Sequence, residues 1–442
     1  MEASSVIRDF VSFLDNSPTA WHAVAVACNS LKQLNFLELS EQDRWAIRPG
    51  HRYFVTRNGS SLCAFVTPHR MPQRLRLLAS HTDSPGLKLK PSAEIRKHHA
   101  ILLGVEIYGA PLLTSWLNRD LGIAGRVLCG NGHRQARELL VRLDRFPLII
   151  PQLALHLDRE VNEKGLCLNR QEHLNALAGV DRELDSHSFI EGLLRDELNG
   201  DPILGHDLFL FPLEKARLIG EENALLAAYR IDSLASMHAA LTALLENSVP
   251  LEEEIKMGIF WDHEEVGSQT AQGAYSPFFN QVFERIMEGF NGTREDHFCV
   301  LNRSTCISID LAHAVHPNHA DKHDSQHQPF LGQGIVLKSN AQERYATSAR
   351  TALPVQLAAA LKQLSLQRFV SRNDIPCGST IGPIQAGLTG MPTVDIGCGQ
   401  LSMHSCRELM ACQDHLDMCQ LLSTLLQMPE WILLLTHMTI SK

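Results

Sequence analysis

Nowhere do two cysteines stand in a Cys-x-x-Cys pair, although eleven cysteines are scattered along the chain. An odd, unclustered set argues against a disulfide framework and a zinc knuckle, and it suits a reducing compartment. A basic excess is also lacking: 40 Lys and Arg face 49 Asp and Glu, a formal net charge of −9. A general nucleic-acid binder needs a basic face to offset phosphate, so that class is excluded. Short basic stretches such as residues 88–99 (KLKPSAEIRKHH) read as solvated faces. Long apolar runs are missing too. PLIIPQLAL and WILLL fall well short of the roughly 20 residues a membrane span needs. The first ten residues, MEASSVIRDF, carry no basic stretch leading into an apolar core, so no secretory leader is expected. No fixed-period repeat and no low-complexity segment interrupts the chain. These absences leave a cytoplasmic protein with neither membrane nor nucleic-acid partner.

What remains is a 442-residue globular composition, 44% hydrophobic and 20% charged, long enough for two domains. Residues 5–35 place Val6, Phe10, Phe13, Leu14, Ala23, Val26 and Leu31 at helical spacing, with a Ser-Pro-Thr break at 17–19. Residues 53–66 predict a hairpin around Asn58-Gly59. LRLLAS (75–80) is a short buried strand, and residues 101–128 hold further strands. PLIIPQLALHL (147–157) carries two prolines, which excludes one continuous central strand. Residues 160–225 are polar and irregular, with LNGDPILGHD as a loop. After Arg230 a helix is predicted, with Leu234, Met237, Leu241, Leu244 and Leu245 on one face. Short strands IKMGIFW, CISI and MPTVDI then alternate with helical segments such as LPVQLAAALKQL. Alternating strands and helices predict an α/β fold: a mixed central sheet flanked by helices. The different texture of residues 93–229 marks them as a mostly-β domain inserted into a discontinuous one, 1–92 plus 230–442.

The chemistry gathers at strand ends. SHTDSPG (80–86) follows the apolar LRLLA, and on its own it suits a polar turn as well as a metal ligand, His81, steadied by Asp83. IKMGIFW runs into Asp262-His263-Glu264-Glu265, CISI into Asp310, and MPTVDIG leads to His404. In open α/β sheets, sites form beyond the carboxyl ends of strands. Four such ends bearing His, Asp or Glu would make an oxygen- and nitrogen-rich metal site. Asp232 suits a helix N-cap or a carboxylate bridging two metals. Glu264 and Glu265 suit a solvated acidic turn, or one metal ligand beside one general base. Among five histidines in 313–327, His313 is the candidate for a supporting or substrate contact, whereas His316 and His319 read as surface residues.

The segments SPTAWHAV, SHTDSPGLKLKP, VEIYGAPLLTSWLNRDLGIAGRVL, PQLALHL, YRIDSL, DHEEVGS, SIDLAHAVHPNH, KSNAQERYAT, DIPCGSTIGPI and DIGCGQLSMHSCRE occur in that order. Together, over residues 10 to 410, the chain resembles the aspartyl aminopeptidases, two-metal exopeptidases that remove N-terminal acidic residues. The resemblance implies two zinc ions per subunit, with Co2+ or Mn2+ as possible substitutes. His81 and Asp310 would hold one, Glu265 and His404 the other, and Asp232 would bridge them. Glu264 would be the general base, and Asp83 would orient His81. Lys338, with Arg344 and Tyr345 in the same segment, would contact the acidic side chain of a peptide with a free N-terminus. His156 would reach the site of a neighbouring subunit. The inserted domain would form dimers, and these a dodecamer.

The chain departs from the family pattern in places. His263 stands where Asn is usual, Asn118 where Asp is, Ser233 where Asn is, and Glu343 where Gln is. A proline is usual near Gly399. None of these removes an implied metal ligand or the base, but a carboxylate at Glu343 would weaken acidic selection by like-charge repulsion. Two rival functions stay open. One is the same chemistry with neutral or basic N-terminal preference. The other is a non-catalytic oligomeric scaffold.

Overall fold

A computed structural model describes residues 3–130, 136–181 and 188–428; the WILLL run lies outside them. The helical spacing near the start resolves into α1 (Ala3–Asp15) and α2 (Ala20–Gln33). Both bury their apolar stripes, with Phe10, Ala23 and Leu31 fully buried. Strands β1 (Leu37–Leu39), β2 (Arg52–Arg57), β3 (Ser61–Val66) and β4 (Arg74–His81) follow. β2 and β3 form the expected hairpin, turning where Asn58 (φ 54°) and Gly59 (φ 65°) adopt left-handed backbone.

The chain then builds a second sheet from β5 (Gly86–Lys97), β6 (Ala100–Tyr108), β7 (Leu121–Cys129), β8 (Arg137–Leu148), β9 (Ala176–Val180) and β10 (Ile203–Pro212). Its order is β8-β7-β10-β5-β6-β9, antiparallel throughout. It has a core of its own around Leu87, Leu103, Trp116, Leu121 and Leu208. Pro147 is tolerated because β8 is an edge strand, and β8 ends before Pro151. One expectation fails here. Much of LNGDPILGHD is strand, not loop, since β10 begins at Ile203 and pairs with β7 as far as Pro212. Tertiary pairing overrides the weak strand propensity of Gly, His and Asp. Three helical turns, at Val161–Lys164, Phe189–Leu193 and Arg195–Leu198, decorate this region.

After β11 (Arg217–Ile219) and β12 (Leu225–Ala228) comes α3 (Ile231–Glu246). It is buried from Ile231 to Leu244, on every face rather than one. Then follow β13 (Glu254–Trp261), α4 (Phe278–Gly289), α5 (Arg294–Arg303), β14 (Thr305–Ile309), β15 (Ala312–His313) and β16 (Ile335–Lys338). α6 (Ala349–Lys362), β17 (Leu366–Phe369), α7 (Ile381–Thr389), β18 (Thr393–Gly397), β19 (Gly399–Leu401), β20 (Glu408–Ala411) and α8 (Cys412–Gln427) complete the chain.

The central sheet has nine strands in the order β1-β2-β3-β13-β4-β14-β18-β16-β17. One core packs α1, α2, α3, α6 and α8 on one face, and a second packs α4, α5 and α7 on the other. This is the mixed, helix-flanked sheet that alternating strands and helices predict. A small sheet, β11-β12-β20-β19-β15, lies beside it.

Candidate metal centre

Strands β13, β4, β14 and β18 are neighbours, and all run parallel. Their carboxyl ends therefore share one edge of the sheet. Register sets Trp261 opposite His81, so the Asp262–Glu265 turn opens beside the histidine. Asp310 follows β14 directly. His404 stands further from β18 than its neighbours do from their strands, in the turn between β19 and β20.

The side chains converge on Asp232, at the start of α3. Its backbone (φ −83°, ψ 112°) and that of Ser233 are not helical, and the peptide between them is cis. The carboxylate does not cap the helix. Its Oδ1 lies 3.4 Å from His81 Nε2, and its Oδ2 lies 3.4 Å from His404 Nε2. His81 Nε2 is also 3.5 Å from Asp310 Oδ1, and His404 Nε2 is 3.4 Å from Glu265 Oε1. Two groups thus share one carboxylate, each using a different oxygen of it. Nitrogen or oxygen ligands at 2.0–2.1 Å from a tetrahedral ion sit roughly 3.3 Å apart, which is the spacing seen in both groups. Asp232 Oδ1 is buried and has no hydrogen-bond partner among the described residues. Such an atom is costly unless a cation meets it.

Electrostatics point the same way. Burial opposes a charge on His81, yet Asp232, Asp310 and Asp83 outweigh it and push the imidazole well above its usual value. Burial is likewise outweighed at His404 by Asp232 and Glu265, and its pKa is pushed up to about 12. Carboxylates that favour positive charge at these two imidazoles would favour a metal cation in the same place. Burial lifts Glu265 to about 7, despite the nearby His404. Burial first, then Glu265, Asp310 and Asp83, hold Glu264 well above its usual value, with His81 opposing.

Asp83 ties His81 to the turn that carries Glu264 and Glu265. His81 Nδ1 donates to the Asp83 carbonyl (3.1 Å) and lies 3.4 Å from its Oδ1. The carboxylate accepts the backbone N–H groups of Glu264 (3.1 Å) and Glu265 (3.0 Å). It also accepts the hydroxyl of Tyr108 at 2.7 Å. Glu408 does the same on the other side, accepting the N–H groups of Asp232 (2.9 Å) and His404 (2.6 Å). Tyr108 and Glu408 are positioning residues that sequence reading missed. Both lie inside the motifs quoted above, but neither spacing nor residue type marks them.

Lys338 is buried, its Nζ donating to the carbonyls of Asp310 and Leu311, both at 3.0 Å, and lying 3.4 Å from Asp310 Oδ2. It stands over the ring of buried Tyr345 at 5.1 Å. Tyr345 and exposed His313 line a cavity of about 410 Å3 with Phe369, Arg372 and Cys377. Arg344 and Glu343 are exposed. His156 is exposed as well, between Leu155 (51%) and Leu157 (75%) in the loop after β8. The departure at His263 has a physical basis. Its φ is 65°, a left-handed conformation that Asn and His tolerate better than most residues. Its Nδ1 lies 2.8 Å from the Thr270 hydroxyl.

Known proteins resemble this chain over nearly its whole length. The family model "Aminopeptidase I zinc metalloprotease (M18)" matches residues 13–426. A Streptomyces avermitilis protein described as a probable M18 family aminopeptidase 2 is 41% identical, covering 92% of this chain and 94% of its own length. A Ricinus communis probable aspartyl aminopeptidase is 36% identical, covering 93% of each chain. Among solved structures, a chain from the cryo-EM complex of Ape4 and Nbr1 superposes with a TM-score of 0.92 at 36% identity, over 96% of this chain and 86% of that one. The S. cerevisiae mApe1 dodecamer gives a TM-score of 0.83 at 26% identity, over 95% and 96%.

Proposed function

The chain belongs to the aminopeptidase I zinc metalloprotease family (M18), and on that premise we propose that it removes Asp and Glu from peptide N-termini with two zinc ions. The observation that carries the two-ion reading is Asp232, whose two oxygens serve two separate ligand groups. His81 and Asp310 would hold one ion, His404 and Glu265 the other, and Asp232 would offer one oxygen to each. Co2+ or Mn2+ can substitute, because imidazole and carboxylate ligands accept both. When bound, zinc polarises the scissile carbonyl and acidifies water.

The protein's own groups do the rest. Glu264, whose backbone N–H is fixed by Asp83, accepts a proton from the attacking water and passes it to the leaving amine. Asp83 holds His81 in one orientation. Lys338 supplies a buried positive charge to the acidic side chain, with Tyr345 and His313 on the wall of the adjoining cavity. Arg344, exposed, serves the outer part of the substrate. Glu343 is exposed too, so water and salt screen its charge and acidic preference survives.

His156 of the partner subunit completes the site. The exposed Leu153, Leu155 and Leu157 around this position suit burial in a subunit contact. The inserted domain makes that contact, and the resulting dimers assemble into a dodecamer, the state named for the S. cerevisiae neighbour. No helix among the described residues is long and apolar enough to cross a membrane, and we place the enzyme in the cytoplasm.

Matched peptides beginning with Asp, Glu, Ala, Leu or Lys test the reading. Asp and Glu peptides should be cleaved fastest, by at least tenfold. Faster cleavage of neutral or basic N-termini would discard the acidic preference and keep the chemistry. Cleavage of none, with zinc supplied, would leave the scaffold.

A further inference from the structure

A second cluster of metal-ligating side chains lies where α1, α3 and α8 meet, away from the sheet edge. His238 sits on α3, and His415 and Cys419 sit four residues apart on α8. On a helix, residues at that spacing face the same way. All three are buried, at 2%, 0% and 7% exposure. His238 Nδ1 is 3.0 Å from His415 Nε2, which is 3.8 Å from Cys419 Sγ. The three ligand atoms all lie within 4.8 Å of one another.

Nitrogen ligands of one tetrahedral zinc stand roughly 3.3 Å apart, and nitrogen and sulfur roughly 3.6 Å apart. The observed distances bracket those values. The far side of His238 supplies an independent observation. Its Nε2 lies 3.1 Å from Asp9 Oδ2 on α1. Metal-bound histidines characteristically donate their second N–H to a carboxylate, which fixes the tautomer and frees the other nitrogen's lone pair. Here that freed nitrogen, Nδ1, faces His415 and Cys419. Phe10 of α1 stacks on His415, ring centres 3.9 Å apart, and closes the cluster in apolar surroundings.

We propose that His238, His415 and Cys419 form a structural metal site, separate from the catalytic pair, that takes one zinc ion. Two imidazoles and a thiolate select a borderline-soft ion such as zinc over magnesium or calcium. On binding, the Cys419 S–H proton leaves to solvent and the His415 proton that had bridged to His238 Nδ1 moves from Nε2 to Nδ1 of the same neutral ring, so the thiolate and two imidazole lone pairs become the metal bonds. The remaining positive charge is balanced by Asp9 through His238. The ion clamps α8 to α3 directly, and α1 to both through Asp9. His238 follows Asp232 by six residues on α3, roughly 9 Å along the axis, so the clamp braces the helix that carries the shared carboxylate. Without the ion, the cluster reduces to a hydrogen bond between two imidazoles beside a thiol.

The test uses a signal the catalytic site cannot give. Its proposed ligands, His81, Asp232, Glu265, Asp310 and His404, include no thiolate. The full-length protein is stripped with a chelator and reloaded with Co2+, and its near-ultraviolet absorption is followed. The expected result is a thiolate-to-cobalt charge-transfer band that saturates at one thiolate-bound ion per chain. Cys419→Ser should abolish it, His415→Gln should weaken it at least fivefold, and Cys167→Ser, at an exposed position, should retain it. A reloaded wild-type protein without the band overturns the proposal, even if no variant folds. So does a band that persists in Cys419→Ser. Neither result depends on the protein's having aminopeptidase activity.

Discussion

At the scale of single residues, the account assigns one proton carrier and one specificity charge. Glu264→Gln keeps the shape of the side chain and removes its basicity. Turnover should fall by about 10²- to 10⁴-fold, while zinc measured on the purified variant stays at the wild-type level, because the proposed ligands are untouched. Near-normal turnover in that variant would refute the base. Lys338→Met removes a buried cation without opening a large cavity. The ratio of kcat/KM for Asp over Ala peptides should fall at least tenfold, about 1.4 kcal/mol of discrimination. An unchanged ratio would move the acidic pocket elsewhere. Both residues are legible in the sequence for different reasons. Glu264 follows an apolar strand in an acidic pair, whereas Lys338 has no chemical mark and stands out only through the family resemblance. Asp232 was ambiguous between cap and bridge because both uses favour the start of a helix. The structure places its carboxylate away from the cap position and between the two histidines.

At the scale of elements, the site depends on how closely parallel strands approach. Gly397 ends β18 beside β14, and a Cβ there would lie 1.8 Å from the carbonyl oxygen of Asp310. Gly397→Ala must push that backbone aside. The expected outcome is a loss of roughly 1–3 kcal/mol in stability together with reduced zinc retention, read by thermal melting and metal analysis of one preparation. Unchanged zinc retention would show that Asp310 is not held by this contact. Strands β4, β13 and β14 were legible because strands covered by helices on both faces read as short, mainly apolar runs, broken here only by single residues such as Arg76, Lys256 and Ser308. Their order in the sheet was not, since no local feature encodes which strands become neighbours. β10 was hidden because its polar residues make a strand only once β7 and β5 pair with it. His415 and Cys419 escaped notice because four-residue spacing on an amphipathic helix looks like ordinary core packing.

At the scale of the whole molecule, stability and activity answer to different protons. His22 on α2 is neutral in the fold. Burial first, then the charges of Arg230 and Arg142, lower its pKa to about 4. The unfolded chain protonates it near 6.5, so between pH 6.5 and 4 the unfolded state binds more protons and stability falls as pH falls. The contribution is roughly 2 kcal/mol at pH 5. Thermal melts of the two proteins should therefore diverge from pH 7 to 5, with the His22 protein losing more stability, or gaining less, than His22→Leu; an equal slope in both would show that His22 does not contribute. The central claim concerns the whole assembly of strand ends, that it is a metal-dependent site for hydrolysis. The most direct measurement is the hydrolysis rate of one Asp-initiated peptide before chelation, after it, and after zinc is restored. Activity, its loss, and its return with zinc are the expected results. Hydrolysis that persists through complete metal removal would contradict it.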